Sequence, residues 1–552
     1  MSKLSNKTAN SKKNKKSNTG KTKKIKIIKK KVNKKLIKNN PCDLSALFKK
    51  LKDELRLSDD HITGRDAVLS ISQLVTIYLL ETNNKVEHFG LPEYVKFSKI
   101  YNKLKKDDHH GADDQMDKVF KCLSQNENTM QAFRTESKIT RYKTFKKLVM
   151  EIYEFFENMD EDHKKKLKEH GDILGQEYEE LLRTQLVGRD DGQYFTNRNA
   201  VKLIIEVVDP KLGETVYDPT CGTGGFLIYA FMHMLDQIKK KHPEYEETKS
   251  YAKLCSDTFY GCDIDKEVME ILHSNLVLHD IKHNNHFKNV NTVTNNQISD
   301  QYDVVIGNFP FGKKGKKIFD KELEDEYAEL LEYYGHQSTV LPLLLLKHTM
   351  NVLVEGGRAG VIVTTGELTN TGNDYNYFRK ELIESNTLTK IIILPKGLFE
   401  NAKGVSTAVI CFTKGGRTDK VEFYDVPDIK CDKLNLVRTV TRVQIKKASY
   451  SLDPQSFDEE EIIDYGDIPL MKLEDVCMIE YGTRITQKNN VEGEYPVYGG
   501  GGITFYTNNY NREGTTLIVS RFGVSANCVR IIEGKFWLND SGMSISAKKK
   551  IK

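Results

Sequence analysis

Residues 186–415 alternate between short runs rich in β-branched residues and longer runs in which apolar residues have helical spacing. A helix after each strand returns the chain to the same end of a sheet, so such strands pair in parallel. The segment therefore predicts an α/β fold, a mainly parallel sheet covered by helices on both faces. The predicted strands are residues 215–217, 259–264, 303–306, 359–364, 390–394 and 407–412.

The sequence outside this segment divides into four parts. Residues 1–40 contain 16 lysines and no acidic residue, and like-charge repulsion predicts a disordered tail. Such a tail either attracts nucleic acid or directs nuclear import, or it is solvated without a specific role. Residues 41–185 predict a helical N-terminal domain for packing or partner docking. Residues 416–465 are polar and predict a linker with some local structure, and residues 466–552 predict a small β-rich module.

Composition and charge exclude several classes of protein. Apolar residues make up 38% of the 552 residues, which argues against wholesale disorder. The net charge is +6, but without the tail 68 basic residues stand against 78 acidic ones, so the folded part is acidic. The longest apolar runs are shorter than the ~18 residues of a membrane span, and no secretory signal peptide or membrane partner is expected.

The cysteines indicate the chemical environment of the chain. There are nine, and none has C-x-x-C spacing. This pattern argues against a zinc site and against a disulfide framework. We therefore expect no metal and a reducing, cytoplasmic location, with a nuclear or viral setting left open.

A glycine-rich turn follows the first predicted strand. Glycines let the backbone approach a ligand closely, and the N-terminus of the following helix offers unpaired N–H groups. This arrangement is typical of nucleotide binding in doubly wound sheets, although no G-K-[ST] of a P-loop follows. A purely structural turn is the alternative. The turn consists of Asp218, Pro219, Thr220, Cys221, Gly222, Thr223, Gly224, Gly225 and Phe226.

An acidic residue ends the second predicted strand. Asp263 lies in the run Gly261–Asp265, and a carboxylate at such a strand end can accept both hydroxyls of a ribose. The alternative is a surface acid at the start of a helix, with Asp265 as its N-cap. Together with the glycine turn, the ribose-binding interpretation is favoured.

The sequence Asn308-Phe309-Pro310-Phe311 directly follows the predicted strand at residues 303–306. Proline cannot continue a strand ladder, so the chain must turn at the ligand-binding edge of the sheet. An amide oxygen and a backbone carbonyl can together accept the two hydrogens of an exocyclic amine, and the ring can stack on a flipped base. An ordinary strand-ending turn is the alternative.

The motifs at residues 218–226 and 308–311, in this order, resemble the S-adenosylmethionine-dependent methyltransferases that modify adenine N6 in DNA. The closer similarity is to the modification subunit of type I restriction–modification systems, over residues 45–415. Residues 192–198 resemble the family's "GQYFTPR" element, and residues 261–265 with the following helix resemble its second cofactor motif. Residues 356–363, 393–399 and 404–407 resemble its later motifs, and residues 64–67 weakly resemble its helical domain.

The resemblance implies a Rossmann-like methyltransferase domain at residues 186–415 that binds S-adenosyl-L-methionine. It assigns catalysis to Asn308, Phe309, Pro310 and Phe311. It assigns cofactor binding to Gln193, Tyr194, Phe195, Thr196, Asn197, Arg198, Asp218, Thr220, Cys221, Gly222, Thr223, Gly224, Gly225 and Asp263.

The C-terminal segment carries a second resemblance. Residues 473–476, 482–483, 495–502 and 518–523 are similar to the start of a target-recognition domain from a type I specificity subunit. The catalytic domain reads one base, so another module must choose the sequence. We expect a partial recognition domain, either truncated or completed by a partner. A β-rich accessory domain unrelated to DNA is the alternative.

The expected mechanism places the Asn308 side-chain oxygen and the Phe309 carbonyl on the two N6 hydrogens of a flipped adenine. Phe311 would stack on the purine, and no covalent nucleophile is needed. The family usually has proline at positions 309 and 197, where this chain has Phe309 and Asn197. Proline fixes φ and removes an N–H, so its replacement predicts a less preorganised site.

Three functions remain open from the sequence. The leading one is a site-specific DNA adenine-N6 methyltransferase acting as the modification component of a restriction–modification system. The second is a catalytically weak or inactive DNA-binding scaffold subunit. The third is methyl transfer to a glutamine side chain or to RNA, which the helical N-terminus and the recognition-like C-terminus disfavour. The expected partner is double-stranded DNA, and candidate protein partners are a specificity subunit, a second copy and a separate restriction nuclease subunit.

Overall fold

The computed structural model describes residues 44–106, 109–164, 175–177, 179, 196–282, 285–295, 298–311, 324–399, 404–457, 471–499, 502–521 and 528–548. The chain divides into two compact units, Met1–Asp458 and Glu459–Lys552. The lysine-rich tail at residues 1–40 lies outside the described residues. Within the described part of the chain, no helix is both long enough and apolar enough to cross a membrane.

The first unit begins with helices that share one hydrophobic cluster. Each helix places apolar residues on one face at a spacing of three or four, and these faces pack together. Helix α2 is the most buried, with an unbroken buried run from Ala67 to Leu80. The helices are α1 (Leu44–Leu57), α2 (Gly64–Thr82), α3 (Lys85–His88), α4 (Phe97–Lys105), α5 (His109–Gln125) and α6 (Tyr142–Glu157).

A sheet of nine strands with flanking helices forms the rest of the first unit. Its first half contains α7 (Arg198–Val208), β1 (Val216–Asp218), α8 (Gly225–Lys239), α9 (Lys249–Ser256), β2 (Phe259–Asp263), α10 (Lys266–Leu278), β3 (Phe287–Asn289), α11 (Thr292–Asn295) and β4 (Tyr302–Asn308). Its second half contains α12 (Glu324–Tyr334), α13 (Leu341–Val352), β5 (Leu353–Thr364), α14 (Thr365–Thr369), α15 (Asn373–Glu384), β6 (Asn386–Ile393), β7 (Thr407–Lys414), β8 (Lys420–Asp425), β9 (Asn435–Thr441) and α16 (Arg442–Lys447).

The strand order is β3-β2-β1-β4-β5-β7-β6-β8-β9. Strands β3, β2, β1, β4 and β5 are parallel, and β7 runs antiparallel between β5 and β6. Successive residues of a strand face opposite sides, so Val304 and Ile306 join one hydrophobic cluster and Val305 joins the other. The predicted Rossmann-like α/β fold is confirmed. Its topological switch lies between β1 and β4, where ligands bind in such sheets.

The predicted linker at residues 416–465 is wrong for residues 420–447. Strand β8 pairs in parallel with β6, and β9 pairs antiparallel with β8, so both strands extend the sheet. The side chains of Val421, Phe423 and Val440 are buried. These strands were missed because each has few buried positions, and the polar residues between the buried ones dominate the composition.

The second unit is a small β-rich body with two sheets. The order is β10-β16-β13-β14 in one and β12-β11-β15 in the other. Phe536, Leu538 and Ile518 form its buried hydrophobic cluster. Its elements are α17 (Leu473–Val476), β10 (Cys477–Tyr481), β11 (Tyr495–Tyr498), β12 (Ile503–Thr507), β13 (Thr516–Ser520), β14 (Val529–Ile532), β15 (Trp537–Leu538) and β16 (Gly542–Ala547).

Candidate cofactor and catalytic site

Three predicted polar residues meet at the carboxyl edge of the sheet. Asp218 ends β1, Asp263 ends β2 and Asn308 ends β4, and these strands are neighbours in the order β2-β1-β4. The glycine turn connects them. The hydroxyl of Thr220 donates to the backbone carbonyl of Asn308 at 3.1 Å, and the N–H of Gly222 donates to Asp263 Oδ2 at 3.0 Å.

Two glycines of the turn serve different purposes. Gly222 has φ +54°, and a Cβ added there would meet nothing within 4 Å, so the backbone borders open space. Gly224 has φ +91° and precedes α8, and a Cβ there would lie 2.4 Å from Leu272 Cδ1. Gly222 therefore leaves room for a ligand, whereas Gly224 permits close packing of the turn against α10. Asn275 of α10 also donates to the Thr223 carbonyl at 3.0 Å.

Burial raises the pKa of both acids at this edge. The pKa of Asp218 rises to about 8, because its side chain is buried and Asp263 adds a second negative charge. Burial also raises the pKa of Asp263, although backbone N–H groups of Asp265 and Gly222 oppose the shift. Two acids side by side, the buried Asp218 and the half-buried Asp263, favour a cationic ligand between or beside them.

Thr196 connects the segment before α7 to the catalytic position. Its hydroxyl accepts a hydrogen bond from Asn308 Nδ2 at 3.0 Å. In this arrangement Nδ2 of the Asn308 amide is the donor, and the side-chain oxygen lies at the other end of the group. The predicted residues Gln193, Tyr194 and Phe195 lie outside the described residues.

Glu179 is a residue of this region that the sequence did not reveal. Its carboxylate forms an ion pair with Arg198 at 3.0 Å and accepts a hydrogen bond from the Thr223 hydroxyl at 2.7 Å. Arg198 also donates to the Thr196 carbonyl at 2.8 Å. The carboxylate therefore ties the segment before α7 to the glycine turn. No local motif marks it, since its partners lie 19 and 44 residues away.

Asn197 has a structural reason to replace the family's proline. It is the N-cap of α7, and its side-chain oxygen accepts from the N–H of Asn199 at 2.9 Å. Proline would fix φ at this position but could not provide that acceptor. The capping bond therefore supplies a different form of preorganisation.

Phe309 is anchored in a similar way. Its N–H, which proline lacks, donates to the carbonyl of Ile362 on the neighbouring strand β5 at 3.1 Å. The ring is fully buried in the hydrophobic cluster that includes Val305 and Val361. Phe309 thus extends the pairing between β4 and β5 by one hydrogen bond and fixes the backbone that carries its carbonyl.

Phe311 occupies a different environment from the one that base stacking requires. Its side chain is only 3% exposed. The ring packs edge-to-face on Phe399, with centroids 5.2 Å apart. Pro310, which precedes Phe311 in the sequence, is half-buried. In this conformation the ring of Phe311 belongs to the protein core.

A family model described as N-6 DNA Methylase matches residues 169–465, which is more than half of the chain. The chain belongs to the N-6 DNA methylase family. The predicted membership of the DNA adenine-N6 methyltransferase family is therefore confirmed, and with it the predicted enzyme class, a DNA methyltransferase.

Curated relatives of this methylase are described as methylase subunits of type I restriction enzymes. It is 31% identical over 257 residues to the EcoEI methylase subunit of a type I restriction enzyme from Escherichia coli, covering 46% of this chain and 49% of that one. It is 28% identical over 415 residues to the StySPI methylase subunit from Salmonella potsdam, covering 70% of this chain and 72% of that one. The chain thus matches about half the length of the first relative, 49%, and 72% of the length of the second.

Solved structures support the fold of the methylase. A modification subunit of a putative type I restriction enzyme from Vibrio vulnificus matches with a TM-score of 0.53 at 20% identity, over 70% of this chain and 84% of that chain. A type I methyltransferase subunit from Streptococcus thermophilus matches with a TM-score of 0.53 at 17% identity, over 75% and 99%.

We expect Phe309→Pro to destabilise the methylase rather than restore a better site. The change removes a fully buried ring and the hydrogen bond to Ile362, at a cost of about 3–5 kcal/mol for the buried aromatic alone. Urea unfolding monitored by circular dichroism measures the shift of the midpoint. Phe309→Leu, which keeps the N–H and most of the volume, should cost only about 1 kcal/mol. A proline variant as stable as the parent would contradict this interpretation.

A buried histidine lies behind the site and was not predicted. His348 of α13 is fully buried; its Nε2 lies 3.2 Å from the hydroxyl of Tyr217, and its Nδ1 lies 2.9 Å from the hydroxyl of Tyr333. The Tyr333 hydroxyl donates to the Ile298 carbonyl, so it accepts from Nδ1–H. Burial disfavours the charged form of the ring.

We expect the stability of the methylase to fall in acid through His348. Burial lowers its pKa to about 3, below the ordinary ~6.5 of the unfolded chain. Between these values only the unfolded chain binds the proton, so the stabilisation present above pH 6.5 is lost progressively as pH falls towards 3. From pH 6.5 to pH 4 the loss is about 3 kcal/mol. Chemical unfolding at several pH values should show a shallower acid slope for His348→Gln. Parallel slopes would contradict this.

Proposed function

We propose that this methylase transfers the methyl group of S-adenosylmethionine to the N6 amino group of a flipped adenine in double-stranded DNA. One observation carries the proposal: Asn308 is bonded both to the glycine turn and to Thr196. Its backbone carbonyl accepts from the hydroxyl of Thr220, and its side-chain amide donates to the hydroxyl of Thr196. The amide that would hold the target amine therefore adjoins the turn that would hold the methyl donor.

The residues at the sheet edge fit the cofactor. Asp263 would accept the ribose hydroxyls, and the open space beside Gly222 would admit the ligand next to the backbone. Asp218, whose pKa is raised to about 8 in the free protein, would ionise beside the cationic amino acid part of the ligand. When bound, the cofactor supplies an electrophilic methyl group on a sulfonium.

The chain then has to make a weak nucleophile reactive. The lone pair of adenine N6 is delocalised into the ring, so two acceptors on the N6 hydrogens would localise it towards the methyl group. The Asn308 side-chain oxygen and the Phe309 carbonyl supply these acceptors. A new N–C bond forms as the S–C bond breaks, the sulfur keeps the electron pair, and N6 releases one proton to solvent. Most of the rate would come from orientation of the two reactants.

The base-stacking role of Phe311 is part of the proposal. The ring is already held edge-to-face by Phe399, so it is rigid. A flipped purine would have to enter beside this pair and uncover one face of Phe311. Aromatic stacking of this kind stabilises an extruded base without reading its sequence.

The target DNA sequence would be chosen by parts of the assembly outside the methyltransferase domain. We propose that the unit Glu459–Lys552 contributes to target recognition, and that a specificity subunit, a second copy of the chain and a separate nuclease subunit are the protein partners. Both curated relatives are described as methylase subunits of type I restriction enzymes. Intracellular action on DNA, in the cytoplasm, follows from this proposal.

The test uses the full chain, tritiated S-adenosylmethionine and unmethylated genomic DNA. Label should enter DNA in proportion to enzyme and time, and DNA already methylated by the same preparation should accept no more. A scaffold subunit would bind the cofactor in calorimetry without transferring label, with or without a specificity subunit added. Label in RNA or protein instead of DNA would also overturn the proposal.

A further inference from the structure

Helix α10 is shared between the helical region and the sheet. Val268 and Ile271 pack in the hydrophobic cluster of helices α1–α6. Met269 and Leu272 pack in the cluster beneath the sheet. The helix begins three residues after Asp263. Any contact at its N-terminus therefore lies beside this aspartate, which is proposed to bind the cofactor and is called the cofactor acid below.

A chain of polar contacts runs from α2 through this N-terminus to the glycine turn. Arg65 Nη1 lies 2.6 Å from Asp265 Oδ2. The backbone N–H of Asp265 donates to Asp263 Oδ1 at 2.9 Å. The N–H of Gly222 donates to the other oxygen, Asp263 Oδ2, at 3.0 Å. The guanidinium of Arg65 is thus connected to the cofactor acid by one residue.

The two carboxylate oxygens of Asp265 have different hydrogen-bond partners. Oδ1 caps α10 by accepting from the N–H groups of Glu267 and Val268 at 3.1 and 3.3 Å. Oδ2 accepts from Arg65, and the side chains of Arg65 and Asp265 are 34% and 13% exposed. The ion pair is therefore partly shielded from solvent, and it fixes the orientation of Asp265 together with the helix cap.

We propose that Arg65 is a positioning residue for the cofactor site. By holding Asp265, it fixes the peptide group that donates to Asp263 and so orients the carboxylate that receives the ribose. The helical region, which the sequence indicated only as a packing or docking bundle, then supplies part of cofactor recognition. This inference rests on the proposed function, because it assumes that Asp263 binds the cofactor.

A second ion pair between the same two regions provides a matched control. Lys85 Nζ lies 2.5 Å from Asp280 Oδ2, just beyond the C-terminal end of α10, and the two side chains are 13% and 19% exposed. Lys85 therefore also ties the helical region to the sheet, and it is more buried than Arg65. It lies at the end of α10 away from Asp263, so removing it should weaken docking without disturbing the cofactor acid.

The experiment compares Arg65→Ala, Arg65→Lys and Lys85→Ala with the parent in the full chain. Calorimetric titration with S-adenosylmethionine measures Kd, thermal unfolding measures stability, and steady-state assays separate KM for the cofactor from kcat. Arg65→Ala should raise Kd and KM for the cofactor about tenfold while kcat at saturation is kept. Lys85→Ala should leave Kd within about twofold, and Arg65→Lys should recover most of the loss, since it keeps the charge.

Three other outcomes would overturn the inference, and they distinguish its failure from failure of the proposed function. Cofactor binding by Arg65→Ala at the parent's affinity would overturn the inference and leave the proposed function intact. Equal weakening by Arg65→Ala and Lys85→Ala would also overturn it, because docking alone would then explain the effect. A parent chain that binds no S-adenosylmethionine would overturn the proposed function and, with it, the inference.

Discussion

Asn308→Ala is expected to lower the rate of methyl transfer to DNA by about 10³-fold, the cost of losing one preorganised hydrogen-bonding group at a reacting centre. The substitution removes the amide oxygen that would hold an N6 hydrogen. It leaves the backbone carbonyl, which accepts from Thr220 at 3.1 Å. The affinity for S-adenosylmethionine should therefore stay unchanged in calorimetry, while single-turnover transfer of label to DNA falls.

Thr196→Val is the matched control for this variant. The hydroxyl of Thr196 orients the Asn308 amide by accepting from Nδ2 at 3.0 Å. Losing this neutral hydrogen bond should slow transfer about tenfold. A loss of only about tenfold is the effect expected from one misplaced contact. An Asn308→Ala protein that still transfers at about a tenth of the parent rate or faster would therefore show that Asn308 is not a catalytic residue.

Asp263→Ala is expected to weaken the binding of S-adenosylmethionine by about 10²-fold or more. A carboxylate that accepts two ribose hydroxyls makes two charge-assisted bonds, each worth about 1.5–3 kcal/mol. The substitution also leaves the N–H of Gly222 without the acceptor that it has at 3.0 Å, which loosens the glycine turn. Calorimetry with the cofactor alone measures the effect without any DNA.

Asp257→Ala serves as the control at the opposite end of the same strand. Asp257 is exposed and lies two residues before β2 begins at Phe259. Its removal should leave the affinity within about twofold. If Asp263→Ala bound the cofactor as tightly as Asp257→Ala, the ribose assignment would be wrong.

The parts of the site that the sequence predicted share one property. Asp218, Asp263 and Asn308 each follow a recognisable strand, and parallel strands end at one edge. Their proximity therefore follows from topology alone. The bond between Thr220 and Asn308 adds detail to a placement that the strand pattern already implied.

The parts that the sequence did not reveal depend on distant partners. Arg65 meets Asp265 across 200 residues, and His348 meets Tyr217 across 131. Neither pair leaves a local spacing pattern. The sequence also did not predict that β7 is antiparallel or that β8 and β9 extend the sheet. The alternation of residues within one strand shows which side chains face the core, but it does not determine which strands pair. The burial of Phe311 against Phe399 depends on packing of the same kind.

The most direct measurement digests DNA that the purified chain has methylated and identifies the modified nucleoside by mass spectrometry. The expected product is N6-methyladenine, present with the parent chain and reduced to background with Asn308→Ala. Methylated cytosine as the product, or N6-methyladenine at equal levels from the parent and from Asn308→Ala, would contradict the proposed chemistry of this edge of the sheet.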